Sequence, residues 1–327
     1  MKAFVVSKYK APLQLEEVAE PRVGDSDVLV EVQAAGLNLL DEKIRLGEFK
    51  QLLPYRTPFV LGHDVAGTVI ETGANVRGFK PGDEVYARPG DHRIGTFAER
   101  IAVAEADLAL KPASISMEEA ASLPLVALTA WQALVEKGRV RPGRRVLIHG
   151  GSGGVGSIAV QLAKHLGASV ATTASADFVR ELGADTVIDY RTQDFEQLLD
   201  GYDLVLDSLG GENLEKSLRV LKPGGKAIGI AGPPDPAFAR EIGASAAIRL
   251  AMTGLSAGIR RKARGLGVTY EFLFMRASGD QLREITALVD GGALRPIVGR
   301  TVSFDQLPEA LEALGRGGIR GKAVATA

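Results

Sequence analysis

The chain has 327 residues, 46% of them hydrophobic and 24% charged, and its 39 basic and 40 acidic side chains leave a net charge of −1. That length suits two domains, and the charge balance gives no electrostatic footprint for nucleic acid as a main partner. Cysteine is absent, which removes disulfides, thiolate nucleophiles and cysteine-ligated zinc.

In chain order, Met1-Lys2-Ala3-Phe4-Val5-Val6-Ser7-Lys8 has too short an apolar run for a signal peptide. No stretch of about 18 uninterrupted apolar residues follows, so a cytoplasmic protein without a membrane partner is expected. Residues 27–32 alternate apolar and polar, and 65–70 do so more loosely. Pro81-Gly82-Asp83 is a turn leading into a strand at 84–87, and 95–103 reads as one more. Short strands separated by Gly, Pro and Asp predict a β-rich, barrel-like domain. Ser116, with Glu119 three positions on, predicts a helix N-terminus and opens a mainly helical passage to Val135.

From Arg145 the pattern changes to alternating strands and helices. Strands are predicted at 144–149, within 167–173 after a turn, and at 186–188, 204–207 and 226–230, with helices at 177–182 and 212–221, which predicts a doubly wound parallel sheet. The 226–230 strand is expected at an exposed edge, through which a two-fold homodimer can pair. Residues 233–265 break the rhythm with one or two helices, and Arg260, Arg261, Lys262 and Arg264 read as a solvated helix face. A strand at 268–274, a helix at 280–289 and strands at 295–301 and 322–326 complete the chain. There is no internal repeat.

The most specific feature is the link between the strand at 144–149 and the next helix. Gly151, Gly153 and Gly156 fit G-x-G-x-x-G within Gly150-Gly151-Ser152-Gly153-Gly154-Val155-Gly156. The first allows a tight turn, the second lets backbone approach phosphate oxygens, and the third lets helix pack on strand. Helix-start N–H groups and the positive end of the dipole face an anion there. The strand–turn–helix context reads as a dinucleotide pyrophosphate cradle. NAD-specific sites place a carboxylate at the end of the second strand. Thr173-Ala174-Ser175 has none, and Asp177 reads as a helix cap. A carboxylate about 5 Å from a 2′-phosphate costs roughly 3 kcal/mol per charge at an effective dielectric near 20. NADPH is therefore expected over NADH, with Ser175 as a donor to the phosphate.

Ala35-Gly36-Leu37-Asn38-Leu39-Leu40-Asp41, Pro58-Phe59-Val60-Leu61-Gly62-His63-Asp64-Val65-Ala66-Gly67, Lys80-Pro81-Gly82-Asp83, Leu128-Thr129-Ala130, the glycine turn and Arg320-Gly321-Lys322-Ala323-Val324 together resemble the medium-chain dehydrogenase/reductase superfamily. Within it, the chain is most similar to the zinc-free quinone oxidoreductase and alkenal/enone reductase branch. The resemblance implies an α/β fold, with a doubly wound parallel Rossmann sheet inserted in a β-rich GroES-like catalytic domain. The catalytic domain would comprise 1–123 plus 266–327, and the NADP-binding domain 124–265 with a helical insertion at 233–265. It also implies a homodimer. Zinc-dependent relatives carry cysteine at the position of Asn38 and a histidine–acid pair at His63-Asp64. His63 alone cannot hold a catalytic zinc, which needs three protein ligands; Asp41 or Asp64 would have to be borrowed. His63 is read instead as a structural, hydrogen-bonded ring.

By the same resemblance, Asn38 lies beside the nicotinamide and its ribose, and Thr129 binds the nicotinamide end. Tyr190 reaches the 2′-phosphate, helped by positive charge from Arg191, Arg316 or Arg320. The cradle itself would be Gly151, Ser152, Gly153, Gly154, Val155 and Gly156. The implied reaction is hydride transfer from NADPH to a quinone or to the C=C of an α,β-unsaturated carbonyl. Hydrogen-bond donors meeting the developing oxyanion can replace a metal there, and Asn38 and Tyr55 are the candidates. Tyr55 either donates or only walls the pocket. The proton can come from solvent, so no general acid is named. Residues 233–265 are expected to shape the acceptor pocket, with 270–274 beside the nicotinamide. The alternatives are a zinc-free alcohol or ketone dehydrogenase, a polyketide-type enoyl reductase module, and a non-catalytic NADPH-binding protein.

Overall fold

The computed structural model describes residues 1–50, 52–175 and 178–326. The chain divides into two compact units. Unit 1 is Met1–Leu128 with Arg276–Ala327, and unit 2 is Thr129–Met275.

Unit 1 carries strands β1 (Lys2–Val6), β2 (Gln14–Glu17), β3 (Asp27–Leu37), β4 (Phe59–Val60), β5 (Asp64–Thr72), β6 (Glu84–Ala87), β7 (Arg100–Ala104) and β8 (Leu108–Leu110) from its first segment. Strand β3 is the hub. It pairs antiparallel with β5 and β7, and with the C-terminal strand at Lys322–Thr326. Val28 and Val30 on β3 are fully buried, which follows from the alternation read in the sequence. The strand expected at 95–103 begins only at Arg100; before it, Ala98 bridges Ala3. Helix α1 (Leu39–Arg45) follows β3 directly, with Asn38 as its cap, and α2 (Met117–Ala121) starts from Ser116. The predicted capping box is present there: the Glu119 N–H donates to Ser116 Oγ at 3.2 Å, and the Ser116 N–H donates to Glu119 Oε2 at 3.0 Å. Helix α3 (Pro124–Trp131) then runs into a wider, π-type turn at Gln132–Lys137.

Unit 2 holds β9 (Arg145–His149), β10 (Ser169–Thr173), β11 (Thr186–Ile188), β12 (Tyr202–Asp207), β13 (Leu221–Gly229) and β14 (Thr269–Phe272). They form one parallel sheet in the order β11-β10-β9-β12-β13-β14. Relative to β9 this is the 3-2-1-4-5-6 order of a doubly wound dinucleotide fold, with its switch point between β9 and β12. Val146, Leu147 and Ile148 are fully buried, and each contributes about 1.5–3 kcal/mol relative to exposure. Helix α4 (Gly154–His165) packs its apolar residues, Ile158, Ala159, Leu162 and Ala163, against the sheet. Strands β15 (Val298–Ser303) and β16 (Lys322–Thr326) return the chain to unit 1, where β16 lies between β15 and β3.

Two expectations change. The sheet reaches past residue 265, because β14 pairs with β13 in register Lys226↔Thr269 to Gly229↔Phe272. Residues 233–265, with helices at Pro236–Glu241, Ala246–Leu255 and Ala257–Gly265, are the crossover that parallel pairing of β13 and β14 demands. The strand at 226–230 is consequently not at an edge; β14 is. The helix cap expected at Asp177 lies outside the described residues.

Candidate functional site

In unit 2, β9 runs into the glycine turn and α4 begins at its end. Gly150 has φ +66°, the left-handed conformation that glycine adopts without strain. The three motif glycines differ in what surrounds them. A Cβ on Gly151 would lie 2.2 Å from Thr172 Oγ1, and one on Gly156 would lie 2.1 Å from the Gly150 carbonyl oxygen. A Cβ on Gly153 would meet only that same oxygen, at 3.4 Å, an ordinary contact. Gly151 and Gly156 are thus required by the protein's own packing. Gly153, the N-cap of α4, faces room that the fold leaves open. First-turn N–H groups of a helix lack intrahelical acceptors, so the room over Gly153 fits a diphosphate.

A buried relay supports the turn. The Gly150 N–H donates to Thr173 Oγ1 at 3.1 Å, and Thr173 Oγ1 lies 3.0 Å from His149 Nδ1. His149 Nε2 lies 2.9 Å from Ser217 Oγ, which donates to Asp207 Oδ2 at 3.1 Å. Asp207 Oδ1 accepts the Gly210 N–H at 2.7 Å. Since the one proton of Ser217 goes to acceptors other than the ring, Ser217 Oγ accepts from Nε2, which places the His149 proton there and leaves Nδ1 to accept from Thr173. Burial lowers the pKa of this ring, against the opposing Asp207 charge. Sequence reading passed over His149 as a strand-end residue.

At the ends of β10 and β11, Ser175 and Tyr190 are both exposed, Tyr190 to 61%. Arg191 joins the two loops: its Nη2 donates to the Ser175 carbonyl at 3.2 Å and to Asp189 Oδ2 at 3.0 Å. A carboxylate is therefore near this position after all, on β11's exit rather than β10's, and it is paired with a guanidinium. Thr129 is buried within α3.

In unit 1, Asn38 is 5% exposed at the start of α1. Its backbone N–H donates to Asp41 Oδ2 at 2.9 Å. Its side-chain Nδ2 donates to Asp64 Oδ2 at 3.0 Å and to the Gly36 carbonyl at 3.3 Å. Lys322 Nζ, on β16, donates to Asn38 Oδ1 and, at 3.0 Å, to Asp64 Oδ2. Asp64 Oδ1 also accepts the Leu125 N–H at 2.7 Å. His63 is fully buried with Nδ1 2.5 Å from Asp41 Oδ1, as its structural reading expects, while Nε2 has no hydrogen-bond partner.

This donor set does not fit zinc. An ammonium already sits on Asn38 and Asp64, His63 Nδ1 is taken by Asp41, and only His63 Nε2 remains open. Among the described residues no three His, Asp or Glu side chains converge on one point, and a catalytic zinc needs three ligands.

Tyr55 donates its hydroxyl proton to the Asp91 carbonyl. Its ring stacks on Phe59 with centroids 5.0 Å apart, and its carbonyl accepts from Tyr9 at 2.8 Å. Burial, with Asp91 nearby, pushes its pKa upward. Arg320 is exposed two residues before Lys322.

Comparison with known proteins agrees with this geometry. The alcohol dehydrogenase GroES-like domain family matches residues 24–113, and the zinc-binding dehydrogenase family matches residues 182–324. The chain is 37% identical over 352 residues to the Danio rerio protein "NAD(P)H oxidoreductase RTN4IP1, mitochondrial", covering 99% of this chain and 90% of that one. It is 37% identical to "NADPH-dependent alkenal/one oxidoreductase, chloroplastic" of Arabidopsis thaliana, over 91% of this chain and 72% of that one. The solved quinone oxidoreductase of Coxiella burnetii superposes with a TM-score of 0.87 at 31% identity, over 100% of this chain and 99% of that one. Two of these relatives are named for organelles. In this chain, no helix among the described residues is long and apolar enough to cross a membrane. With its parallel 3-2-1-4-5-6 sheet and GroES-like unit, the chain belongs to the medium-chain dehydrogenase/reductase superfamily of oxidoreductases, in a branch without the zinc-ligand motif.

Proposed function

We propose that this protein is an NADPH-dependent reductase that delivers hydride to a quinone or to the C=C of an α,β-unsaturated carbonyl. The observation that carries the reading is the space over Gly153 at the start of α4, bounded by backbone and closed to no side chain. The relatives' names, NADPH-dependent alkenal/one oxidoreductase and quinone oxidoreductase, support it. Ser152, Gly154, Val155 and Gly156 N–H groups would hold the diphosphate, with Gly151 shaping the turn. Ser175, Tyr190 and Arg191, with Arg320, would hold the 2′-phosphate. Thr129 and Asn38 would hold the nicotinamide end. When bound, the reduced nicotinamide supplies hydride.

The chain's own task is to orient the acceptor and meet the negative charge that grows on its oxygen. Both amide hydrogens of Asn38 are engaged, so an acceptor oxygen has to compete for the one held at 3.3 Å by the Gly36 carbonyl. Tyr55 has its proton committed to Asp91 and serves as wall. A conjugated acceptor stabilises the charge by delocalisation, which suits a centre holding hydrogen-bond donors and no Lewis acid. Solvent can protonate the product.

A homodimer through the outer edge of β14, whose one side pairs with β13, and a cytoplasmic location belong to the same proposal; light scattering and cell fractionation check them. The decisive assay follows loss of dihydronicotinamide absorbance with quinones, 2-alkenals, 2-alkenones and matched saturated ketones. Turnover of the conjugated acceptors alone supports the reading. Equal turnover of saturated ketones indicates an alcohol or ketone dehydrogenase, and NADPH binding without any turnover indicates a non-catalytic protein.

A further inference from the structure

Lys322 is 6% exposed, and its ammonium lies on Asn38 Oδ1 and on Asp64 Oδ2, the same oxygen that accepts from Asn38 Nδ2. An ammonium has only donors and a carboxylate only acceptors. An amide held between them has one acceptable orientation, oxygen toward Lys322 and nitrogen toward Asp64. The flipped amide would set NH2 against NH3+ and C=O against a carboxylate, in a place where water cannot compensate. The observed contacts follow that rule: Nζ to Oδ1, and Nδ2 to Asp64 Oδ2 at 3.0 Å and to the Gly36 carbonyl at 3.3 Å. The 2.9 Å bond from the Asn38 N–H to Asp41 fixes the backbone as well.

We propose that Lys322 is a positioning residue for the reduction: it locks the Asn38 amide with its N–H groups turned away from β16, and its charge polarises them as donors. It also places an opposite charge beside the buried Asp64 carboxylate. The open Nε2 of His63 marks how little of a metal site remains once the ammonium is in place. This inference rests on the role of Asn38 under the proposed function.

A double-mutant cycle tests it. Turnover of an enone by the full-length protein with NADPH is measured for wild type, Lys322→Met, Asn38→Ala and the double variant. Lys322→Met is expected to lower kcat about tenfold in the wild-type background and less than about twofold in the Asn38→Ala background. Lys322→Arg, which again offers only donors, is expected to recover most of the rate. Equal losses in both backgrounds overturn the inference, because Lys322 then acts independently of Asn38. If the Met variant does not fold, Lys322→Gln replaces it, since its amide removes the charge and can present either face to Asn38. A second readout needs no turnover: side-chain amide protons of Asn38 should exchange slowly in wild type and Lys322→Arg, and faster in Lys322→Met or Lys322→Gln. Unchanged exchange also overturns the inference. A wild-type protein that reduces no acceptor, yet shows this exchange pattern, refutes the proposed function and leaves the amide lock standing.

Discussion

Substituting alanine at Gly153 and at Gly156 separates two roles that the glycine motif merges. Gly156 lies inside α4, where alanine is favoured over glycine by about 1 kcal/mol. Its Cβ, however, would sit 2.1 Å from the Gly150 oxygen, 2.7 Å from the Gly150 carbonyl carbon and 2.8 Å from Gly151 Cα. All three are backbone atoms, and a Cβ contact under 3.0 Å forces something to shift. Turn and helix would have to part by roughly 1 Å, an overpacking cost of about 3 kcal/mol. The net loss of about 2 kcal/mol lowers Tm by roughly 4–8 °C for a domain of this size. Gly153 has φ −85° and ψ 179°, which alanine adopts freely, and only the 3.4 Å contact to meet. Gly153→Ala should melt within about 2 °C of wild type, while its methyl occupies the phosphate's place and weakens NADPH binding at least about tenfold. Thermal melts without cofactor and fluorescence titration with NADPH measure the two effects. Equal melting of both variants, or wild-type NADPH affinity in Gly153→Ala, refutes the assignment of the open space to the diphosphate.

Three further outcomes are expected. Arg191→Ala should lower kcat/KM for NADPH more than for NADH, because Arg191 is the cation that ties the Ser175 and Asp189 loops together; an unchanged ratio of the two efficiencies removes it from the 2′-phosphate site. Tyr55→Phe should keep kcat within about threefold of wild type, since its proton already belongs to the Asp91 carbonyl, and a larger loss would make it a donor to the acceptor. Asp203 is pulled to about 2: burial opposes this, but the Arg145 N–H, Lys222 and Arg144 outweigh it. A folded pKa below the unfolded one gives stability that is present above about pH 4 and is lost as pH falls toward 2. Denaturation curves at several acidic pH values should show a smaller loss in Asp203→Asn than in wild type, and equal losses would refute the assignment.

Much of unit 2 was legible because its determinants are local. The apolar strand at 144–149, the glycine turn and the alternation of strands and helices need no distant partner to be read. The parallel, doubly wound character of the sheet followed from the alternation. The edge did not, because β14 is four residues long and the 233–265 helices between it and β13 resemble a self-standing insertion. The polar centre of unit 1 was half legible. Asn38, His63 and Asp64 stood out by their sequence neighbourhood, and so did the lack of cysteine. Lys322 was visible only as part of a motif, since nothing local tells that an ammonium 284 positions away completes the hydrogen bonding of Asn38. Asp189 illustrates the opposite failure. The search for a carboxylate followed β10 alone, while parallel pairing of β10 with β11 places Thr173 beside Ile188 and brings the next loop to the same place.

Strand β16 has an implication for how the protein comes into being. Unit 2 is one uninterrupted stretch, whereas β16 reaches β3 only after all of unit 2 has been made. Long-range pairing of this kind closes slowly. A ribosome-bound chain can therefore acquire its nucleotide cradle while Asp64 still lacks its counter-ion. Reductive competence should mature after the cradle, arriving when β16 docks, and a species stalled before that step would be a nucleotide binder without chemistry.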